Sequence, residues 1–228
     1  MTSSLLAKST FGVVGLGTVI SGSIYFGKDL VFSNKPKTKT SIEELIDKFN
    51  SDKRFASVSA TDHWKAAWQA YIEDNKSSEK DAWNIDGWIQ TTISEETVKV
   101  PESFIQACEM NRSKEVLDKN DVLYSQVVKY CTRDALVRDL INETGDKTLL
   151  QKDGNFRNDA HWKAAWDLYK TDNSDTNKWN LTNWPTIKGQ AEVPDSFVDE
   201  CVKKSQTPEY RLEQSIYTEV LKYCTKDA

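Results

Sequence analysis

Apolar positions along the chain fall into two kinds of run. Residues 9–27 carry no charge over 19 consecutive positions, the length an α-helix needs to cross a hydrocarbon core of about 30 Å. Beyond residue 40 the apolar positions recur at helical spacing instead. Ile42, Leu45 and Ile46 lie at i, i+3, i+4, and Trp64, Trp68, Tyr71 and Ile72 at i, i+4, i+7, i+8. Phe104, Ile105 and Cys108 follow, then Tyr124, Val127, Val128 and Cys131 at i, i+3, i+4, i+7. Each set marks one face of an α-helix. Asp62 is the expected N-cap of the aromatic helix. Pro101 suits the first turn of the next one, and Glu102 places negative charge at its positive end.

The whole pattern then returns. His63-Trp64-Lys65-Ala66-Ala67-Trp68 recurs as His161-Trp162-Lys163-Ala164-Ala165-Trp166. Tyr71 is matched by Tyr169, Trp83-Asn84 by Trp179-Asn180, and Trp88 by Trp184. Val100-Pro101 returns as Val193-Pro194, Cys108 as Cys201, and Tyr130-Cys131-Thr132 as Tyr223-Cys224-Thr225. Leu136, Leu140 and Ile141 echo the first apolar stretch. The differences sit between motifs, where loops tolerate insertion. A self-similar period of this length reads as a tandem duplication.

The expected fold is therefore mainly α: an N-terminal transmembrane helix followed by two tandem repeated small helical modules. The anchor covers 1–28, a flexible polar tether 29–40, the first module 41–135 and the second 136–228, with the boundary at Ala135/Leu136. Eight Trp in a chain this size give small modules much apolar burial per residue. Trp64, Trp68, Trp83, Trp88, Trp162, Trp166, Trp179 and Trp184 are assigned to the repeat cores. The competing use is an exposed aromatic platform for a ligand.

Residues 5–27 are the expected membrane contact, with Leu5 and Leu6 extending the run past Lys8, whose stem can snorkel. Two readings compete: an uncleaved signal anchor, which is favoured, and a signal peptide cleaved near Ser21-Gly22-Ser23. Lys28, Lys35, Lys37 and Lys39 follow the segment and would hold the C-terminal side in the cytoplasm. The cysteines argue for the opposite orientation.

Cys108 and Cys131 lie 23 residues apart, and so do Cys201 and Cys224. Loops elsewhere changed length while this spacing did not. A disulfide between neighbouring helices in each module explains the constancy and would contribute about 3 kcal/mol. Buried free thiols are the competing reading, and four cysteines allow three pairings. Disulfides belong to oxidising compartments, so the body is expected outside the cell.

Composition removes other classes. A net charge of -5, with 24 Lys and 6 Arg, lacks the basic face that phosphate neutralisation needs, so no nucleic acid is expected. There is no Gly-rich phosphate loop and no nucleophile elbow. His63 and His161 are the only histidines, and neither has metal-ligand spacing to a partner. Ser77 to Asp81 reads as a solvated, charged loop. No catalytic, metal or cofactor site is expected, and the chain is not expected to be an enzyme.

Leu5-Leu6-Ala7-Lys8, the Gly-rich 12–27 segment, the Trp64/Trp68 pair, Cys108 and the two Lys-Tyr-Cys-Thr endings together are similar to a known group. The chain resembles the uncharacterised paralogous membrane-anchored surface proteins of haemotropic mycoplasmas. It departs from them in carrying the body twice. The resemblance implies a single-pass surface protein of unknown molecular activity, engaged in host interaction or antigenic display, and transfers no binding residue. The alternative is a ligand-binding surface protein using Trp-rich helical faces.

Overall fold

The computed structural model describes residues 38–86, 88 and 99–228. The chain divides by contact into Met1–Thr38 and Lys39–Ala228, and every described element lies in the second unit. The expected membrane segment falls outside the described residues. Among those described, no helix is long and apolar enough to cross a membrane.

The architecture is mainly helical with short antiparallel strand pairs. Helix α1 (Ile42–Phe49) buries Ile42, Leu45 and Ile46, and Ser41 caps it by accepting the Glu44 N–H at 3.2 Å. Ahead of it, β1 (Thr40–Ser41) pairs with β3 (Glu115–Val116). Behind it, β2 (Lys53–Phe55) pairs with β4 (Thr132–Asp134), setting Phe55 against Thr132 and Lys53 against Asp134. Between these lie α2 (Thr61–Asn75), α3 (Glu102–Arg112) and α4 (Val122–Cys131).

The second half follows a similar order, with an isolated Leu136–Pro208 bridge where the first has the β1–β3 pair and with an added 3-10 turn and short helix. Helix α5 (Val137–Thr144) ends on Gly145, whose φ of 75° is a left-handed cap that glycine adopts without steric cost. Strand β5 (Lys147–Leu149) pairs with β6 (Thr225–Asp227), setting Leu149 against Thr225 and Lys147 against Asp227. A single 3-10 turn (Phe156–Asn158) leads into α6 (Ala160–Asp172). The four-residue α7 (Trp184–Ile187), α8 (Asp195–Ser205) and α9 (Ser215–Tyr223) complete the set.

Two hydrophobic clusters form, one from Ile42 to Cys131 and one from Val137 to Cys224. Helices α2, α3 and α4 bury the faces expected of them: Trp64, Trp68, Tyr71 and Ile72; Phe104 and Cys108; Tyr124, Val127 and Cys131.

Three local expectations shift. Asp62 lies inside the first turn of α2, because Ala60 supplies the first helical carbonyl to the Trp64 N–H at 3.0 Å. In the second half Asp159 does cap α6, accepting from the N–H groups of His161 and Trp162, each at 2.9 Å. Pro101 and Pro194 sit one residue earlier than expected, as N-caps with ψ of 140° and 145°.

The Ala135/Leu136 boundary is a joint with no slack. Ala135 is buried; its N–H donates to the Asp52 carbonyl at 2.8 Å, and its carbonyl accepts the Glu209 N–H at 2.9 Å. The Val137 N–H reaches Thr207 O at 3.1 Å, as the Ile42 N–H reaches Lys114 O at 2.9 Å. One stretch of backbone thus closes the first half and opens the second. Two Arg–carboxylate forks bracket it. Arg54 donates to both oxygens of Glu143 at 2.6 and 2.8 Å, and Arg133 to both of Asp139 at 2.5 and 2.9 Å.

Asp139 also accepts the Leu136 N–H at 2.8 Å. Burial pushes its carboxyl up, but the Arg133 fork and the Leu136 N–H outweigh that and hold it below the usual carboxylate range. A depressed carboxyl stabilises the fold above its unfolded pKa of about 3.9, and that contribution is lost as pH falls through the folded value. Asp139→Asn is therefore expected to lower Tm at neutral pH and to flatten part of the acid-side decline. Parallel Tm–pH curves for the two proteins would refute this.

Candidate functional site

The four cysteines pair within each half. Cys108–Cys131 joins α3 to α4 and Cys201–Cys224 joins α8 to α9, both with Cα atoms 5.5 Å apart. All four sulfur-bearing residues are buried, because each projects from the apolar face of its helix.

Beside each disulfide sits an aromatic cluster built around one phenylalanine. Phe104 meets Trp64, Trp68, Tyr71 and Trp83. Phe197 meets Trp162, Trp166, Tyr169 and Trp179. Ring orientations correspond: Trp68 stacks on Tyr71 at 15° and Trp166 on Tyr169 at 14°. Trp68 meets Trp88 edge-on at 88° and Trp166 meets Trp184 at 86°. Trp64, Trp68, Trp162, Trp166, Trp179 and Trp184 are buried, while Trp83 and Trp88 are half-buried. Within each cluster the rings meet one another, stacked, tilted or edge-on.

Several of the polar ends of these rings are tied down, whereas Trp88 Nε1 is enclosed without a hydrogen-bond partner among the described residues. Trp64 Nε1 donates to Ser57 O and Trp162 Nε1 to Gln151 O, both at 2.9 Å. Trp83 Nε1 donates to Gln126 at 2.8 Å and Trp179 Nε1 to Glu219 at 2.7 Å. The Tyr130 hydroxyl donates to Asp74, and the Tyr223 hydroxyl to Asp172 at 2.9 Å. Asn84 and Asn180 take matching left-handed conformations, with φ of 51° and 54°. Asparagine tolerates that region better than other residues bearing a Cβ.

Asp81 departs from the solvated loop expected for 77–81. It is 5% exposed. It accepts from the Tyr71 hydroxyl, from the Trp83 N–H at 3.3 Å and from the Ile85 N–H at 2.9 Å. Burial, reinforced by the Asp81 hydrogen bond, pushes the Tyr71 phenol well up. The corresponding second-half position is Asn177, whose amide oxygen accepts the Leu181 N–H at 2.7 Å. The sequence clue was this repeat position itself, a short polar side chain two residues before Trp-Asn in both copies. Asp81→Asn is expected to stay within about 1 kcal/mol of wild type, and Asp81→Ala to cost about 1–3 kcal/mol by stranding buried donors. Urea unfolding compares them; equal losses would show that the hydrogen bonds do not matter.

The histidines diverge. His63 is half-buried, and its Nε2 is enclosed without a hydrogen-bond partner. Burial lowers its pKa against a backbone hydrogen bond with Tyr130, and Arg133 lowers it further. His161 is exposed. Among the described residues no group of three or more His, Cys, Asp or Glu is placed to hold a metal ion.

An open concavity of about 700 Å³ lies beside α6, rimmed by Arg157, Lys163, Lys170 and Glu192. Two of its cations are occupied by neighbours. Arg157 pairs with Asp195 and with Glu192 at 3.2 Å. Lys170 pairs with Asp167 at 2.8 Å and donates to Gln190 O at 3.1 Å. Lys170 stands where Ile72 stands in the first copy, with its ammonium over the Trp166 ring.

No protein-family model matches the chain, and neither the curated proteins nor the solved structures contain a match to it.

Proposed function

We propose that this chain is a membrane-anchored, surface-displayed protein whose body is two tandem copies of one disulfide-closed helical module, and that it acts by contact with a host-cell or other protein partner. The anchor is residues 5–27 and the body faces outward. The observation that carries the reading is the pair of buried disulfides at equivalent positions, since such bonds persist where the surroundings are oxidising. The uncharged 19-residue run before the body supports attachment to a membrane. The correspondence of the two aromatic clusters supports descent of both halves from one module. The resemblance to anchored mycoplasma surface proteins points the same way.

Protease treatment of intact cells, followed by non-reducing mass spectrometry, tests this. The expected result is loss of the body from outside, with linked peptides containing Cys108–Cys131 and Cys201–Cys224. A protected body carrying four free thiols would overturn it.

A further inference from the structure

Among the places where the two halves differ is the cleft between the first helix, the strand that follows it and the helix carrying the first cysteine. In the first half Arg112, the last residue of α3, fills it. Its guanidinium lies over the Phe55 ring, 4.5 Å from the centroid, pairs with Glu43 and stands 4.0 Å from Glu109. In the second half every one of these positions has changed. Arg112 is replaced by Ser205, Phe55 by Leu149, Glu43 by Arg138 and Glu109 by Val202. The Ser205 hydroxyl turns back to donate to Val202 O at 2.7 Å, so it does not fill the space.

The result is a cleft of about 260 Å³ lined by Arg138, Asn142, Leu149, Lys152, Ser205 and Gln206, with the Cys201–Cys224 disulfide at its floor. The charge of its rim is reversed relative to the first half. There, carboxylates await a cation that the chain itself supplies. Here Arg138 forms no ion pair among the described residues, and Lys152 is paired with Asp199. A guanidinium fork recognises a carboxylate through two parallel hydrogen bonds. The volume lies just below the range of pockets for drug-sized ligands, which suits one carboxylate on a short aliphatic stem.

We propose that this cleft is a binding site for a small carboxylate, seated against Arg138 in the space that Arg112 occupies in the first half. The carboxylate is either a free short-chain diacid or the side chain of an acidic segment of another protein.

The test is amide NMR of the full, oxidised chain titrated with glutarate and, separately, with a hexaglutamate peptide. The expected result is saturable shifts at Arg138, Ser205 and Gln206. Response to both probes assigns a carboxylate from either source, and response to the peptide alone assigns a protein segment. Ser205→Arg should close the cleft, and Arg138→Gln should weaken binding by at least about tenfold, the scale of one charge-assisted fork. The double variant Ser205→Arg/Arg138→Glu restores the first-half ion pair and should fold while binding neither probe. No shifts with either probe, or shifts that survive both Ser205→Arg and Arg138→Gln, would overturn the proposal. Binding in solution does not depend on which side of a membrane the body faces, so this result and the protease result can fail separately.

Discussion

Replacing Phe197 by alanine is expected to remove about 3–5 kcal/mol from the stability of the second half, the largest effect of any single substitution considered. The side chain is fully buried. Its ring centroid lies 5.2 Å from Trp166, 5.3 Å from Tyr169, 5.7 Å from Trp179 and 6.1 Å from Trp162. Truncation leaves a cavity walled by four large rings, each tied by a hydrogen bond, that of Trp166 running from Nε1 to Gln190 O at 3.3 Å. Trp162 and Trp179 are fixed by their indole hydrogen bonds and Tyr169 by the Trp179 N–H at 3.0 Å. Such walls cannot collapse inward, so the cavity cost adds to the lost transfer energy. Urea unfolding followed by Trp fluorescence measures the loss. Phe104→Ala should do the same in the first half, where the ring contacts correspond. A loss below about 1 kcal/mol at Phe197 would mean that the aromatic cluster is not packed as described.

Cys201→Ala together with Cys224→Ala is expected to cost about 3 kcal/mol, by releasing a cross-link that closes a separation of 23 residues. Changing both residues avoids leaving one unpaired thiol in the core. The Cys108/Cys131 pair should behave alike, since its separation and Cα distance are the same. Helix α8 packs on α9 through Phe197, Val198, Val220 and Tyr223, all buried, so the native contacts survive loss of the bond. The effect therefore falls mainly on the unfolded chain, which gains conformational freedom. Reductant opens both bonds of the wild type, so its urea midpoints with and without reductant should differ by about the combined effect of the two pairs. Equal midpoints in both conditions would show that the bonds contribute nothing. The joint adds a qualification: because Ala135 bonds to residues of both halves, destabilising one half should weaken the other through the Arg133–Asp139 fork.

Much of this body was legible in local pattern. The spacing of Trp64, Trp68 and Tyr71 defined a helix face, and the copies at Trp162, Trp166 and Tyr169 doubled the signal. The unchanged 23-residue cysteine step pointed to intramodule pairing, and the geometry bears that out. The strand pairs were not visible. β2 and β4 have three residues each and join positions some 80 apart in the chain, too short for alternation to register. Asp81 read as one more charge in a polar loop. Only the arrival of Tyr71 from the preceding helix makes it a buried acceptor.

The amino-acid sequence by itself determined the helices, the repeat, the cysteine step and the apolar run at the N-terminus. Each of these is a property of neighbours along the chain or of comparison between its own parts. Tertiary structure alone decided that the joint at Ala135 has no slack, that Asp81 is buried, and that the cleft filled by Arg112 in one half stands open beside Arg138 in the other. Those outcomes depend on which side chains meet across long separations, and whether a charge is solvated, paired or facing an empty space is set by the groups that surround it in three dimensions.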